Sequence, residues 1–445
     1  MEQLRRGLSE RLINAVERFP VTILEGGRAV GKSTLCRQVA ATMQWTSAID
    51  LTFPETLAQL KADPVRFLRA MPSPVLIDEA QLEPQLLLWV KLVVDERNGK
   101  PGQFLLTGSA RLGRNQLGGS DPLAGRSIRL RMWPLTISEL AGDPQQTTSK
   151  LFDRSYFVDR VGTVLPQTKA AKAAETTTTT TTTKGVETTE ARPAWLSGGL
   201  PGIPGVRSPM PGYEWNAALS SYVESTIPLG SPTTRVDHSR LLAVFRYLAA
   251  NPGQLLNVAR GASELAMKAD TLRSYIETLE SSFLLFRTEA HRSAEHRVLT
   301  AHPRIFASDV GLASWALGLA GKNPLPLQFG SLLENLLAVE LSSTAYWSHE
   351  TPKLRHWRNE RSQHEVDLLV VHPDGRMVPL EVKGASTVGP GDTRGLLAFA
   401  QSHPEEFVSG YVVYTGARVV DLSPKGMPDG SILGIPASLL LGQAV

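Results

Sequence analysis

The chain has 445 residues, and at about 150 residues per domain this length predicts about three domains. Hydrophobic residues make up 42% of the sequence and charged residues 20%, which excludes a wholly disordered chain. Forty-six lysines and arginines against 43 aspartates and glutamates leave a net charge of +3. Any basic surface for nucleic acid or membrane must therefore be local.

The single cysteine, Cys36, excludes a disulfide framework and indicates a reducing compartment. Residues 1–20 have the pattern of an amphipathic helix and lack the continuous apolar region of a secretory signal. The apolar stretch Leu86–Val94 is interrupted by Lys91, and no run reaches the roughly 18 residues of a membrane span. We therefore expect a cytoplasmic protein that does not bind a membrane.

Residues 1–140 alternate short apolar runs with amphipathic stretches, and we bound this first domain at residues 1–163. The apolar runs predict buried strands at Val21–Leu24, Val75–Ile77 and Phe104–Leu106. The stretches between them predict helices at Ser33–Met43, Thr56–Ala70 and Pro84–Asn98. Strands that alternate with helices predict an α/β fold with a parallel sheet.

A glycine-rich loop lies between the first predicted strand and the first helix of this domain. It fits G-x-x-x-x-G-K-[ST] without a gap, and its residues are Gly26, Gly27, Arg28, Ala29, Val30, Gly31, Lys32, Ser33 and Thr34. Backbone N–H groups of such a loop and the helix N-terminus favour phosphate. Lys32 would bridge the β- and γ-phosphates, and Ser33 would ligate Mg²⁺. The alternative, an unrelated glycine turn, is disfavoured by the flanking strand and helix.

Asp78 and Glu79 follow the apolar run Val75–Ile77. Asp78 would share Mg²⁺ with Ser33, and Glu79 would act as the general base for the attacking water. The strand Phe104–Leu106 ends in Thr107 and Ser109, which could sense the γ-phosphate or be ordinary turn residues. Arg126 follows in a loop and is either an arginine finger for a neighbouring subunit of a homo-oligomer or a solvated charge.

The composition then changes, and we interpret residues 164–212 as a flexible linker. The segment contains the run Thr176–Thr183 and many prolines and glycines, with few large apolar residues to offset the cost of ordering. Residues 213–325 are mostly helical. Helices are predicted at Arg240–Ala250, Ser263–Lys268 and Asp270–Ser281, followed by a strand at Phe283–Phe286.

This order of elements predicts a winged helix-turn-helix. Asp270 would cap the second helix of the motif, which would carry Lys268, Arg273 and Ser274 toward the major groove of double-stranded DNA. The predicted wing adds Arg287, His291, Arg292, His296 and Arg297. The alternative is a helical module that docks another protein.

Residues 326–445 form a third predicted domain, with helices and strands in α/β order. The predicted helices are Leu332–Leu341 and Thr393–Ser402, and the predicted strands are Leu354–Trp357, Val366–Val371, Met377–Val382 and Tyr411–Tyr414. The turn His372–Gly375 joins the second and third of these strands into a hairpin.

Four charged residues of this domain are predicted to meet: Glu334, Asp367, Glu381 and Lys383. Asp367 and Glu381 would face each other in the hairpin, and Lys383 shares a face with Glu381 by period two. With Glu334 they would hold a divalent cation for phosphodiester hydrolysis, and Lys383 would orient or deprotonate water. The alternatives are a surface ladder of charges and a degenerate, non-cleaving copy of a nuclease.

Taken together, these segments resemble a prokaryotic family of AAA-type ATP-binding proteins with a C-terminal domain of unknown function. The segments that carry the resemblance are GGRAVGKST, VLIDEAQ, LLTGSARL, LAGR, Pro303–Leu312, Gly330–Glu334 and EVDLLV…PLEVKGA. The resemblance implies an ASCE-type P-loop ATPase core, a winged-helix middle domain and a C-terminal restriction-endonuclease-like fold of the PD-(D/E)xK type. Where the family has Tyr-x-x-x-Tyr-Leu-x-Arg-Asp, this chain has Leu219–Thr226, and Ser225-Thr226 replaces the Arg-Asp pair.

Two functional hypotheses follow from these sites. In the first, an ATPase that uses ATP and Mg²⁺ acts on DNA through a metal-dependent nuclease domain. In the second, ATP binding controls oligomerisation or DNA occupancy, and the C-terminal fold docks a partner without cutting.

Overall fold

The computed structural model describes residues 4–112, 121–163, 193–203, 205–206, 210–227, 237–291, 302–319, 321–359 and 363–442. Within these ranges, no helix combines the length and hydropathy that a membrane span requires.

The first part of the chain is built on a five-stranded parallel sheet. Its helices are α1 (Ser9–Arg18), α2 (Lys32–Thr42), α3 (Pro54–Ala62), α4 (Pro64–Ala70), α5 (Leu86–Glu96), α6 (Ile137–Leu140), α7 (Thr147–Lys150) and α8 (Arg154–Val158). Its strands are β1 (Val21–Gly26), β2 (Ser47–Asp50), β3 (Val75–Asp78), β4 (Phe104–Gly108) and β5 (Ser127–Met132). The strand order β2-β3-β4-β1-β5 confirms the predicted α/β fold with a parallel sheet.

The predicted helix Thr56–Ala70 is wrong in one respect, because the chain forms two helices there. Pro64 lacks an N–H and cannot continue α3, and Asp63 adopts a non-helical conformation before it. The Asp63 carboxylate accepts a hydrogen bond from the Arg66 N–H (3.2 Å) and so caps α4.

The middle part consists of helices followed by a two-stranded ribbon. The helices are α9 (Gly212–Thr226), α10 (His238–Ala249), α11 (Val258–Glu264), α12 (Ala269–Ser281) and α13 (Val310–Ala316), and the antiparallel strands are β6 (Leu285–Thr288) and β7 (Arg304–Ala307). This order agrees with the predicted one, and the assignment as a winged helix stays a prediction.

Two local predictions in this part are wrong. The helix predicted at Ser263–Lys268 lies earlier, because the Asn257 side chain caps α11 and Ala266 takes a left-handed φ of 49°. Asp270 is not the N-cap of α12. Lys268 occupies the N-cap position, and Asp270 lies in the first turn.

Residues 193–203 are ordered and packed, although their composition predicts a linker. Trp195, Leu196 and Leu200 are buried in the core. The Leu135 N–H donates to the Gly199 carbonyl (2.7 Å), and the Gly199 N–H donates to Asp309 Oδ2 (2.7 Å). A Cβ at Gly199 would lie 2.0 Å from the Leu135 oxygen, so glycine permits this approach. The run Thr176–Thr183 lies outside the described residues.

The last part of the chain contains a six-stranded mixed sheet. Its helices are α14 (Pro326–Trp347), α15 (Arg394–Ser402) and α16 (Ala437–Leu441). Its strands are β8 (Lys353–Asn359), β9 (His364–Val371), β10 (Met377–Lys383), β11 (Gly410–Tyr414), β12 (Val420–Asp421) and β13 (Ile432–Pro436). The strand order is β12-β13-β11-β10-β9-β8, and β9 and β10 form the predicted hairpin.

The three parts share one continuous core, which contains Leu12, Phe245, Leu337 and Tyr411. The long helix α14 connects the C-terminal sheet to the parallel sheet. The Thr148 hydroxyl donates to the Leu341 carbonyl (2.9 Å), and the Tyr346 hydroxyl donates to the Arg129 carbonyl (3.0 Å). A conformational change in one part can therefore be transmitted to the other parts through direct packing.

Candidate functional site

The glycine-rich loop connects β1 to α2, as the sequence predicts. Ala29 and Gly31 have left-handed φ angles of 60° and 98°, and α2 begins at Lys32. A Cβ at Gly26 would lie 2.4 Å from the Met132 carbonyl oxygen, so only glycine permits this contact between β1 and β5. The loop therefore presents its backbone at the N-terminus of α2, where an anion is favoured.

Lys32 is buried at the mouth of this loop. Its Nζ donates to the carbonyls of Gly26 (3.0 Å) and Gly27 (2.8 Å) and to Ser109 Oγ (3.0 Å). Burial lowers the pKa of Lys32 to about 8, while the neighbouring Glu79 and Asp78 oppose this change. Phosphate oxygens could replace these acceptors, which would favour the charged ammonium.

Asp78 at the end of β3 faces two hydroxyl groups. Ser33 Oγ donates to Asp78 Oδ1 (2.9 Å), and the Thr107 hydroxyl contacts the same oxygen. Arg37 Nη2 lies 3.2 Å from Asp78 Oδ2. Mg²⁺ in phosphate-binding sites is usually held by one or two protein oxygens together with phosphate oxygens and water. The Ser33 hydroxyl and the Asp78 carboxylate are protein oxygens of this kind. The pair Ser33 and Asp78 therefore fits the predicted Mg²⁺.

Glu79 is held in the turn after β3, in the left-handed conformation with φ 56°. Its N–H donates to Thr107 Oγ1 (3.0 Å), and its Oε1 accepts a hydrogen bond from Ser109 Oγ (3.3 Å). The Gln81 amide contacts Oε2, and Gln81 Oε1 in turn accepts from the Ser109 N–H (3.1 Å). Sequence reasoning missed Gln81, although it lies two residues after Glu79.

A cavity of about 430 Å³ lies at the glycine-rich loop. Its lining includes Gly31, Lys32, Ser33, Thr34, Glu79 and Ser109. It also includes three residues that sequence reasoning missed: Arg6, Pro201 and Gly202. Arg6 Nη1 donates to the Val30 carbonyl (2.9 Å), and the Gly202 N–H donates to the Ala29 carbonyl (3.2 Å). The loop is thus held by two segments that lie far from it in the sequence.

Helix α9 also contacts the loop. The Tyr222 hydroxyl donates to the Arg28 carbonyl (3.0 Å), and Arg28 Nη1 donates to the Ser225 carbonyl (3.3 Å). Burial raises the pKa of Tyr222, so the phenol stays a donor. Tyr222 lies in the segment Leu219–Thr226, which departs from the family pattern. That departure is the only feature of the sequence that draws attention to this segment.

Arg126 lies at the opposite end of the sheet from the glycine-rich loop. Its carbonyl accepts from the Val21 N–H at the start of β1, and its guanidinium pairs with Asp95 (Nε to Oδ1, 2.5 Å). Arg126 therefore cannot reach the cavity of its own chain, and a role in a neighbouring subunit stays a prediction.

The four charged residues of the C-terminal domain do come together, with an arginine among them. Arg304 of β7 is buried, and its Nη1 lies 2.8 Å from Glu334 Oε1 and 3.2 Å from Asp367 Oδ1. Its Nη2 lies 3.4 Å from Glu365 Oε2. Arg304 is part of a segment that carries the family resemblance, but its role was not visible in the sequence.

Glu381 and Lys383 lie beside this cluster. Lys383 Nζ is 3.7 Å from Glu381 Oε2, and the Val382 N–H donates to Asp367 Oδ2 (3.0 Å). Burial and then Asp367 raise the pKa of Glu381 to about 9, whereas Lys383 and Arg304 oppose this. Burial and then Asp367 also raise the pKa of Glu334 to about 8. The cluster therefore combines one arginine with buried carboxyl groups, and the burial raises the pKa of Glu334 and of Glu381.

The metal role predicted for Glu334, Asp367 and Glu381 stays a prediction, and the structure places Arg304 against two of these carboxylates. In the ranges that the structure describes, no group of three or more His, Cys, Asp or Glu side chains is placed to hold a metal ion. Arg304 contacts Glu334 and Asp367, and Lys383 lies beside Glu381, so a positive side chain accompanies each of the three carboxylates.

The face of α12 that is predicted to contact DNA has as many acidic as basic side chains. It exposes Lys268 and Arg273 but also Asp270 and Glu277, and Arg273 pairs with Asp270 (2.5 Å). DNA contact by this helix stays a prediction.

Residues of the predicted wing contact other parts of the protein. Arg287 pairs with Glu280 (2.5 Å), and the ring of His291 packs against that of His403 at 5.5 Å. Burial and then His403 lower the pKa of His291. Arg292, His296 and Arg297 lie outside the described residues.

Three family models match successive segments of the chain. Residues 18–141 match an AAA domain, and residues 188–323 and 329–431 match two domains of unknown function, DUF8612 and DUF4143. The uncharacterized proteins Rv2008c of Mycobacterium tuberculosis and Mb2031c of Mycobacterium bovis are each 27% identical to this chain over 395 residues. Each alignment covers 86% of this chain and 74% of the mycobacterial protein.

Solved structures show more distant similarity. The Walker-type ATPase PABY2304 of Pyrococcus abyssi has a TM-score of 0.37 and 16% identity, over 69% of this chain and 94% of its own. A RuvB variant of Thermotoga maritima has a TM-score of 0.28 and 18% identity, over 63% and 89%. The match to the AAA domain and the geometry of the loop together support an AAA-type P-loop ATPase domain in residues 18–141.

Proposed function

We propose that this protein hydrolyses ATP with Mg²⁺ at the glycine-rich loop and acts as a non-cleaving switch. The observation that carries the proposal is the set of contacts between Lys32, Ser33, Asp78, Glu79 and Ser109 beside one cavity. DNA occupancy and homo-oligomerisation are the proposed outputs of the switch.

Each residue of the site has a role that its contacts support. Lys32 binds phosphate oxygens through its ammonium, and the backbone of the loop adds N–H donors. Ser33 and Asp78 would hold Mg²⁺, which when bound neutralises charge on the β- and γ-phosphates. Thr107 keeps Asp78 and the Glu79 backbone in place through its hydroxyl.

Glu79 is the proposed general base, which accepts a proton from the attacking water. Its carboxylate lines the cavity, and Ser109 and Gln81 fix its orientation. Positioned general bases contribute about 10²- to 10⁴-fold to rate. Ser109 also bonds to Lys32, so one hydroxyl links the phosphate-binding lysine to the base.

Coupling to the rest of the chain is proposed to run through the two segments that contact the loop. Tyr222 binds the Arg28 carbonyl on one side, and Gly202 binds the Ala29 carbonyl on the other. A loop that reorders around phosphate would change these hydrogen bonds, so ATP binding would shift α9 and the segment around Gly202.

The C-terminal carboxylates are proposed to dock β7 on the C-terminal sheet rather than to bind a catalytic metal. Arg304 comes from β7, whereas Glu334 and Asp367 belong to the C-terminal part. A buried ion pair of this kind specifies how two parts fit together.

The test is ATP turnover of Glu79→Gln, with Glu55→Gln on the exposed surface as the matched control. We expect Glu79→Gln to lower kcat about 100-fold or more while ATP still binds, because the amide cannot accept the proton. Turnover by Glu79→Gln at the wild-type rate would remove the proposed base.

A second candidate function, DNA cleavage, is favoured by the approach of Asp367, Glu381 and Lys383. It is tested by incubating full-length protein with duplex DNA and Mg²⁺ or Mn²⁺. The switch proposal expects no products on a gel. Products that disappear in both Asp367→Ala and Lys383→Ala would replace the switch with a nuclease.

A further inference from the structure

A second cavity, of about 400 Å³, lies where the three parts of the chain meet, and we call it the junction cleft. Its walls come from α1, β5, β6, α14 and β8. Five cationic side chains line it: Arg11, Arg131, Arg287, Lys353 and Arg355. Glu289 is the single carboxylate among its lining residues. Arg287 pairs with Glu280, so the other four cations face Glu289 alone and the cleft has an excess of positive charge.

Arg131 of β5 is the most unusual of these cations. It is partly buried, and its guanidinium forms no hydrogen bond or ion pair with any described residue. It lies over the ring of Trp133, 3.7 Å from the centroid. Stacking uses the face of a guanidinium and leaves its N–H donors for another partner.

The carboxylates nearest to Arg131 are already paired with other arginines. Glu25 pairs with Arg129 (2.7 Å), and Glu280 pairs with Arg287 (2.5 Å). Burial and then the nearby Arg111 lower the pKa of Arg131 to about 9. A buried cation without a counter-ion is costly, and an anion in the cleft would offset this cost.

Lys353 and Arg355 extend the positive charge along β8. Their side chains lie on one face of the strand by period two, and neither pairs with a described carboxylate. Arg11 contributes from the other side, where its guanidinium lies 4.8 Å from the centroid of the Tyr346 ring.

We propose that the junction cleft binds phosphate groups. Several arginines around one small cavity suit phosphate oxygens, which accept paired N–H donors. The volume is in the range of small-ligand sites, which extends from about 300 to 1,000 Å³. The phosphates come either from a free oligophosphate or from the backbone of a nucleic-acid strand. This inference is independent of the proposed switch, because it concerns a site away from the glycine-rich loop, which we also call the ATP loop.

The experiment measures binding of two probes to full-length protein carrying Lys32→Ala, which weakens phosphate binding at the ATP loop. The probes are tripolyphosphate, by calorimetry, and a labelled oligothymidylate, by fluorescence anisotropy. We expect Arg131→Gln to weaken binding of at least one probe about ten-fold, the effect of losing a charge-assisted contact. Lys353→Gln with Arg355→Gln should weaken it similarly. Lys353 is exposed and Arg355 half-buried, so this double variant keeps the test valid if Arg131→Gln does not fold.

The matched control is Arg66→Gln, an exposed arginine of α4 on the far side of the sheet, which should leave both affinities unchanged. If oligothymidylate is the probe, each lost phosphate contact should reduce the slope of log affinity against log salt by about 0.7. Preference for one probe names the source of the phosphate. The proposal is overturned if neither probe binds, or if the cleft variants bind like the Arg66→Gln control.

Discussion

The ATP loop and the C-terminal cluster both bring carboxylates and a lysine together, but their carboxylates have different partners. In the first region, Asp78 faces the hydroxyls of Ser33 and Thr107, and Glu79 borders a cavity of about 430 Å³. In the second, Glu334 and Asp367 face the guanidinium of Arg304. At the glycine-rich loop, hydroxyl partners and an open cavity leave space for a metal ion and a substrate. In the C-terminal cluster, the guanidinium of Arg304 occupies the position of a metal ion.

A carboxylate motif therefore does not by itself define a metal site. A metal site also requires that the remaining positions around the carboxylates be neutral donors or solvent. Asp78 Oδ1 meets that condition, because its contacts are hydroxyls and the exposed Arg37 contacts only Oδ2. Asp367 does not meet it, because the buried Arg304 contacts its carboxylate. The predictions below test this difference, from the largest expected effect to the smallest.

Asp78→Asn and Asp367→Asn form a matched pair for this purpose. Asp78→Asn should lower ATP turnover about 100-fold or more and raise the Mg²⁺ concentration for half-maximal turnover, because an amide binds Mg²⁺ more weakly than a carboxylate. Asp367→Asn should leave turnover within about two-fold. Both are measured by phosphate release across a Mg²⁺ titration. Equal losses in the two variants would break the comparison.

Arg304→Ala should destabilise the fold by about 3 kcal/mol or more, because it leaves the Glu334 and Asp367 carboxyl groups buried without their cation. The measurement is urea-induced unfolding at pH 7. Arg69→Ala is the control, since its ion pair with Glu96 is exposed to solvent and should contribute little to stability. A small effect of Arg304→Ala, equal to that of Arg69→Ala, would contradict the docking role.

The parallel sheet and the ATP site could be predicted because their signals are local. The motif from Gly26 to Thr34, the apolar strand before Asp78 and the hydroxyls after β4 each lie within a few residues of sequence. Their positions follow from the rule that parallel strands end at one edge of a sheet. The lysine, serine and two carboxylates therefore meet as expected.

Contacts between distant segments could not be predicted in this way. Arg304 and Asp367 approach through the packing of β7 on the C-terminal sheet, which no periodicity encodes. Gly202 lies against the ATP loop although its segment has the composition of a linker. Three buried side chains, Trp195, Leu196 and Leu200, are enough to order that segment, and composition averages hide them.

Glu340 is a third kind of carboxylate, buried in α14 and paired with no cation within the described residues. Its Oε1 accepts from the Ile137 N–H (2.8 Å), and burial raises the pKa of Glu340 to about 8 from an ordinary 4.5. The native state therefore keeps a proton that the unfolded chain has released between these pH values. The contribution of Glu340 to the free energy of unfolding therefore falls as pH rises through this window.

Glu340→Gln cannot ionise and keeps a carbonyl for the Ile137 N–H. We expect its stability advantage over wild type to grow by about 1 to 3 kcal/mol from pH 5 to pH 8. Urea unfolding at several pH values measures this, with Glu55→Gln as the exposed control. Parallel pH curves for wild type and Glu340→Gln would contradict the prediction.

Tyr222→Phe tests the contact between the glycine-rich loop and α9 of the middle part, which has no counterpart in the C-terminal cluster. The change removes one hydrogen bond to the Arg28 carbonyl, which is worth about 0.5 to 1.5 kcal/mol. We expect ATP affinity to fall about two- to ten-fold, because the loop loses support on the side of α9. The control is Tyr213→Phe, whose hydroxyl is exposed and bonds to Glu214. If Tyr222→Phe and Tyr213→Phe bind ATP equally well in calorimetry, α9 does not sense the nucleotide through this bond. Coupling would then have to run through Gly202 on the opposite side of the loop.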